Sequence, residues 1–152
     1  MNIQLSLFVN QPQTKDYIYL AGLLDGEGYL GLTKTHSERY KNKFTYKARV
    51  VIANCNLELL ENIKHIFGGY IIKKKTPNPK WTQGYNLTIG YIDRWLPQVA
   101  PYMKAKQKKA ILLLEAIELL RKRKKATNQA FNLSLKRLSV IDQLLRKKEW
   151  LL

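Results

Sequence analysis

Asp25 and Glu27 are separated by Gly26, directly after the apolar run Leu20-Ala21-Gly22-Leu23-Leu24 and before Gly28. If that run is a short helix, its two acids fall at the C-terminal end, against ordinary helix electrostatics. The last turn of a helix carries partial negative charge and carbonyls without intrahelical donors, so it disfavours acids and welcomes cations. Asp25, Glu27 and the Gly26 carbonyl together concentrate negative potential, which a bound cation best explains. Taken alone, an apolar helix ending in Asp-Gly-Glu is more often helix-to-strand punctuation than a metal site. The elements around it must decide between the two.

The charge balance is the second signal. The 152 residues carry a formal net charge of +16, with an isoelectric point near 10.0. A polyanionic partner is the natural reading, either nucleic acid or an anionic membrane surface. A ribosome-associated or merely soluble basic protein has the same composition. The length and the 45% hydrophobic content fit one domain with a sizeable core. A single cysteine, Cys55, excludes an internal disulfide and suits a reducing compartment. No apolar run reaches membrane-spanning length, and the N-terminus lacks the layout of a signal peptide. These features predict a soluble intracellular protein, in a prokaryotic cytoplasm or an organelle interior, with no membrane partner.

Residues 1–13 read as an extended arm. Thr14 suits an N-cap and Asp16 a first helical turn, so a helix should begin near Lys15 and stop at Gly26 and Gly28. It is apolar nearly all round, with Tyr17, Leu20 and Leu24 on one face. Ile18, Ala21, Gly22 and Asp25 form a small-residue stripe that lets a second backbone come close. Strands are predicted over 29–35 and 44–52, where Phe44, Tyr46, Ala48, Val50 and Ile52 alternate with Thr45, Lys47 and Arg49. Asn56 should cap a helix over 57–67 that Gly68-Gly69 ends. Further strands are expected over 70–76 and 81–90, joined by the Pro77-Asn78-Pro79 tip. Helices over 92–99, 103–125 and 133–150 follow, with a break over 126–132.

Hairpin-paired strands with helices on one face predict an α+β domain around a four-stranded antiparallel sheet. One sheet face is apolar and the other is rich in Lys, Arg, Thr, Asn and Gln, a fair platform for the DNA major groove. His36, His65 and Cys55 have no metal-ligand spacing and read as structural, and the three Trp as core or turn residues.

The nine residues from Leu20 to Gly28 resemble the signature of the LAGLIDADG homing endonucleases, with Glu27 where the family often has Asp. The downstream order is similar as well, through Gly68-Gly69 to the Lys104-Ala105-Lys106-Gln107-Lys108 segment, so the resemblance covers roughly residues 16–120. It implies an αββαββα unit with a saddle-shaped sheet over DNA, plus additional C-terminal helices. The implied division is an arm over 1–13 and one endonuclease domain over 14–152, with a core to about 125 and a helical extension over 126–152. One motif copy implies a homodimer on a long pseudo-palindromic site, its interface built from Ile18, Ala21, Gly22 and Asp25.

Phosphodiester hydrolysis needs an activated water and charge relief on the leaving oxygen, both of which divalent metals supply. Carried over from the family, Glu27 and the Gly26 carbonyl are the metal ligands, and hard oxygen donors suit Mg²⁺ or another divalent cation. Asp25 is expected to hydrogen-bond backbone near the helix ends. Asn54 stands where the family has a water-positioning polar residue, with plain strand-ending chemistry as its alternative. Lys106 stands where the family has a basic residue near the scissile phosphate, and simple phosphate anchoring is open to it and to Lys104 and Lys108.

Contacts to double-stranded DNA are expected from Thr33, Thr35, Lys47, Arg49, Lys73, Lys74, Lys75, Asn86 and Thr88. Arg49 leads as a bidentate reader of guanine. Strand alternation prevents all three lysines of 73–75 from reaching base edges. The basic run over 121–125 is either a charge–dipole pairing at a helix end or a contact to flanking phosphate. A site-specific Mg²⁺-dependent DNA endonuclease is the leading reading. A non-cleaving module on the same scaffold, such as an intron RNA maturase or a DNA-binding regulator, is the alternative. Retention of Glu27 favours cleavage, because a pure binder has no use for a repelling acid beside phosphate.

Overall fold

The computed structural model describes residues 11–40, 43–123 and 128–148. Helix α1 (Thr14–Glu27) leads into strands β1 (Gly28–His36) and β2 (Phe44–Asn54). Helix α2 (Leu57–Phe67) leads into β3 (Tyr70–Lys73) and β4 (Tyr85–Ile89). Then come α3 (Ile92–Val99), a 3-10 turn (Ala100–Tyr102), α4 (Gln107–Arg123) and α5 (Asn128–Arg146). The four strands form one antiparallel sheet in the order β1-β2-β4-β3. The α+β class and the αββαββα order read from the sequence are both present, followed by further helices.

Register explains the core. Leu30 stands opposite Val50, Leu32 opposite Ala48, and Ile52 opposite Leu87, so one face of the sheet is a continuous apolar floor. Against it pack Leu20, Ala21 and Leu24 from α1, Leu60 and Ile63 from α2, and Trp95, Leu96 and Val99 from α3. Leu113 of α4 and Leu138, Ile141 and Leu145 of α5 belong to the same cluster. Each fully buried leucine contributes about 1.5–3 kcal/mol, so α5 is held by the same apolar interior as the sheet.

Several boundaries differ from expectation, each for a local reason. Gln13, not Thr14, caps α1, because its backbone N–H donates to Asp16 Oδ2 at 2.8 Å. An acid at the third helical position that reaches back competes well with a threonine hydroxyl. Asn56 does cap α2, its Oδ1 accepting from the Leu59 N–H at 3.1 Å. Strands β3 and β4 are shorter than 70–76 and 81–90. Pro77 and Pro79 offer no ladder donors, and Gln83 Nε2 donates to the Lys74 and Gly84 carbonyls at 2.7 and 2.8 Å. The last helix is Asn128–Arg146 instead of 133–150, so residues 128–132 are helical and not part of the break.

Trp95 is buried and Trp81 is exposed on the β3–β4 loop, while Trp150 and most of the 1–13 arm lie outside the described residues. Arg137 pairs in fork geometry with Glu115, at 2.7 and 2.9 Å, joining α4 to α5. The guanidinium holds the Glu115 carboxyl below the usual carboxylate range. Arg121 Nη2 donates to Asp93 Oδ2 at 2.6 Å, tying α4 to α3. Arg121 is therefore engaged within the chain, in an exposed ion pair.

Candidate active site

The end of α1 is set by a steric requirement. Gly28 is buried and extended, and its N–H donates to the Leu24 carbonyl. A Cβ there would stand 2.6 Å from the Leu24 side chain and 2.7 Å from the Leu24 Cα. Only glycine lets the chain turn this closely against the last helical turn and enter β1.

The negative helix end is compensated from about eighty residues away. The Lys106 ammonium donates to the Gly28 carbonyl at 2.6 Å and the Leu24 carbonyl at 3.1 Å. No basic residue lies in the last turn of α1 itself, so tertiary structure delivers the cation that helix electrostatics calls for. Asp25 accepts from the backbone N–H groups of Lys104 at 2.6 Å and Lys106 at 3.0 Å. It hydrogen-bonds backbone as expected, and the segment it ties down is the one before α4. That segment's amides are committed to Asp25, and α4 begins at Gln107 instead of residue 103.

Charge-assisted hydrogen bonds contribute about 1.5–3 kcal/mol each. Asp25→Ala is therefore expected to lower stability by about 2 kcal/mol, read as a lower urea midpoint with an unchanged slope.

With Asp25 and Lys106 so engaged, Glu27 is the acid that faces solvent. Its Oε2 accepts from Asn54 Nδ2 at 2.5 Å, and Asn54 Oδ1 accepts in turn from the Asn56 N–H at 2.7 Å. The backbone thus orients Asn54, and Asn54 orients the carboxylate. The shorter Asn side chain reaches Glu27 directly. The structure brings Glu27, Asn54 and Lys106 together around Gly28.

The solvent face of the sheet begins at this point. Thr33 stands opposite Lys47, Thr35 opposite Thr45, and Arg49 opposite Gly31, all on the face away from the core. Asn86 shares that face through its pairing with Ala53. Lys73 pairs with Tyr85, in the same row as Asn54, and is exposed at the end of β3. One expectation needs correction. The Thr88 hydroxyl is buried without a partner, so it is not presented to solvent. Lys74 and Lys75 are exposed beyond the end of β3, and Lys104 and Lys108 are exposed before and at the start of α4.

Sequence reasoning missed the apolar residues on this face, among them the half-exposed Tyr29, Tyr70 and Ile72. The strict alternation of β3 and β1 contained that signal. Tyr70 and Ile72 flank the core-side Ile71, and Tyr29 precedes Leu30.

The outward side of α1 carries half-exposed Ile18 and Tyr19. A Cβ at Gly22 or Gly26 would meet nothing within 4 Å. Ala21, grouped from sequence with this stripe, is instead fully buried in the chain's own core. It lies one residue toward Leu20 and Leu24 around the helix.

A family model described as LAGLIDADG endonuclease matches residues 20–105, more than half of the chain. The chain belongs to the LAGLIDADG endonuclease family. The match takes in the acid-bearing half of α1, the whole sheet and the start of the segment that Asp25 ties down.

Solved LAGLIDADG structures share the fold. The archaeal intron-encoded homing endonuclease I-Vdi141I, complexed with DNA, aligns with a TM-score of 0.68 at 21% identity, covering 86% of this chain and 82% of that one. The homing endonuclease I-CvuI, in complex with the I-CreI target in the presence of Mg and with the DNA not cleaved, aligns at 0.67 and 19% identity. That alignment covers 88% of this chain and 83% of that one. I-SmaMI, bound to an uncleaved DNA target in the presence of calcium ions, aligns at 0.65 and 20% identity over 88% of this chain and 45% of that one. The LAGLIDADG unit described here thus spans most of the first two proteins and about half of the third. No curated protein matches the chain. Among the described residues, no helix is long and apolar enough to cross a membrane.

Proposed function

We propose that this LAGLIDADG protein is a site-specific DNA endonuclease that makes a double-strand break as a homodimer on a long pseudo-palindromic site, using Mg²⁺ or another divalent cation. The observation that carries this reading is Glu27, solvent-facing and oriented by Asn54, at the point where α1 meets a sheet whose outer face bears Lys47 and Arg49. A net charge of +16 supports a polyanionic substrate.

The donor set fits a hard divalent cation. Glu27 offers a carboxylate, and the Gly26 carbonyl lies in the last turn, where helix carbonyls lack intrahelical donors. Among the described residues no group of three His, Cys, Asp or Glu side chains forms a closed cage. A site of one carboxylate and one carbonyl, completed by substrate phosphate and water, is the way Mg²⁺ is usually held. When bound, the cation supplies charge neutralisation at the phosphate and a more acidic water.

The chain's own residues do the positioning. Asn54 holds the Glu27 carboxylate in one orientation. Lys106 neutralises the Leu24 and Gly28 carbonyls, and its charge lies close enough to stabilise developing negative charge on a phosphate beside Gly28. Asp25 fixes Lys104 and Lys106 relative to α1, keeping the basic segment in register with the acid. Thr33, Thr35, Lys47, Arg49 and Asn86 face the groove, and Lys74, Lys75, Lys104 and Lys108 flank it as phosphate contacts.

Dimerisation is supported by the glycines of α1. Glycine inside a helix costs about 1 kcal/mol relative to alanine, and nothing in this chain occupies the space beside Gly22 or Gly26. A close approach by a second α1, with Ile18 and Tyr19 at its rim, explains residues that the isolated fold does not need.

Selection of cleaved molecules from a randomised duplex library in Mg²⁺ tests the proposal. Recovery of one pseudo-palindromic family of cut sites supports it, and intact DNA under conditions where the protein binds contradicts it.

A further inference from the structure

The solvent face of the sheet is not uniformly basic, and its register divides it into rows. Nearest to Glu27 and Asn54 stand Ile72, Asn86 and Ala53. The next row holds Tyr70, Thr88, Val51 and Tyr29. Only then come Arg49 with Gly31, and after them Lys47 with Thr33. No charged side chain stands in the first two rows.

The apolar character of those rows is presented outward. Ile72, Tyr70 and Tyr29 are 51%, 53% and 51% exposed, although the apolar interior lies on the opposite face. Thr88 turns its hydroxyl inward, so its exposed part is not polar side chain. Tyr29 lies flat along β1, with its hydroxyl end where a Gly31 side chain would stand. Gly31 thereby lets the ring lie against the sheet instead of standing up from it. An exposed apolar surface of this kind, rimmed by cations, marks a recognition surface.

We infer that the part of the half-site nearest the active site is read through thymine methyl groups and adenine, and the part farther out through guanine. The inference rests on the endonuclease reading above and adds the class of base pairs recognised. In the major groove the thymine methyl is the apolar feature, matched by Ile72 and Ala53 and, in the next row, by the exposed rings of Tyr70 and Tyr29. Asn86, in the innermost row, has the amide geometry for adenine N6 and N7. Arg49 and then Lys47 offer donors to guanine O6 and N7. Successive rows are two residues apart, about 6.8 Å, or about two base pairs at 3.4 Å each. The A·T-selecting zone therefore covers about four base pairs before the guanine-selecting zone begins.

The test is binding of the intact protein to selected duplexes in Ca²⁺, with uracil substituted for thymine one position at a time. Loss of one methyl in an inner position should weaken binding about fourfold, and loss of one farther out should have no effect. Ile72→Ala, a change at a half-exposed position of an edge strand, should abolish the uracil effect at the position it faces. Arg49→Gln should relax guanine selection without altering the inner positions. Sequence-selective binding with G·C enriched in the inner zone, or with no response to uracil there, overturns this inference and leaves the endonuclease reading intact. Absence of selective binding to any duplex overturns both.

Discussion

Glu27→Gln is expected to reduce DNA cleavage in Mg²⁺ by about 10³-fold, with binding of the same DNA retained or tightened. Glutamine keeps the length and planarity of the side chain and still accepts from Asn54 Nδ2, so the local geometry survives. It removes the charge that holds a cation, a loss comparable to deleting a principal electrostatic contact in a hydrolytic site. Glu27 is exposed and takes no part in the apolar core, so stability should be unchanged. Binding is expected to hold or improve because an acid facing phosphate is removed. Conversion of supercoiled plasmid carrying a selected site reads the cleavage, and gel mobility reads the binding. Parent-level cleavage by the variant would remove Glu27 from the mechanism.

Gly22→Arg is expected to produce a more stable chain that no longer dimerises. Arginine is a good helix former and glycine a poor one, so the substitution favours α1 by up to about 1 kcal/mol. A side chain at this position meets open space within the chain. Across a two-fold axis the same side chain would meet its own copy, with bulk and like charge where two backbones have to approach. Urea unfolding should show an unchanged or raised midpoint, while the solution mass falls to that of one chain. Double-strand cleavage should fall with it. A variant that is stable, dimeric and active would show that α1 is not the interface.

The architecture was legible because the sequence is locally consistent. The bounds of α2 and α3 were read to the residue, since Asn56, Gly68-Gly69 and Pro101 punctuate them clearly. The pairing of the acid-ended helix with a sheet bearing Lys47 and Arg49 outward was legible as well, because side chains alternate in β2 from Tyr46 to Val50. Other features depend on contacts that no local pattern encodes. Lys106 capping the carbonyls of Leu24 and Gly28 joins positions about eighty residues apart. It partly resolves the charge imbalance that first suggested a cation site and leaves Glu27 as its solvent-facing part. Ala21 was misplaced because an all-round apolar helix does not disclose which side the core takes. Thr88 was chosen for residue type, and a buried hydroxyl overrules that choice.

A mixed dimer tests the central claim most directly. Two differently tagged copies, one parent and one Glu27→Gln, can be co-purified and given a plasmid carrying one selected site. If each Glu27 serves one strand and α1 joins the two sites, the mixed dimer should nick the plasmid and accumulate open circles, while the parent dimer makes linear DNA. Linear product formed by the mixed dimer at the parent rate would contradict the account.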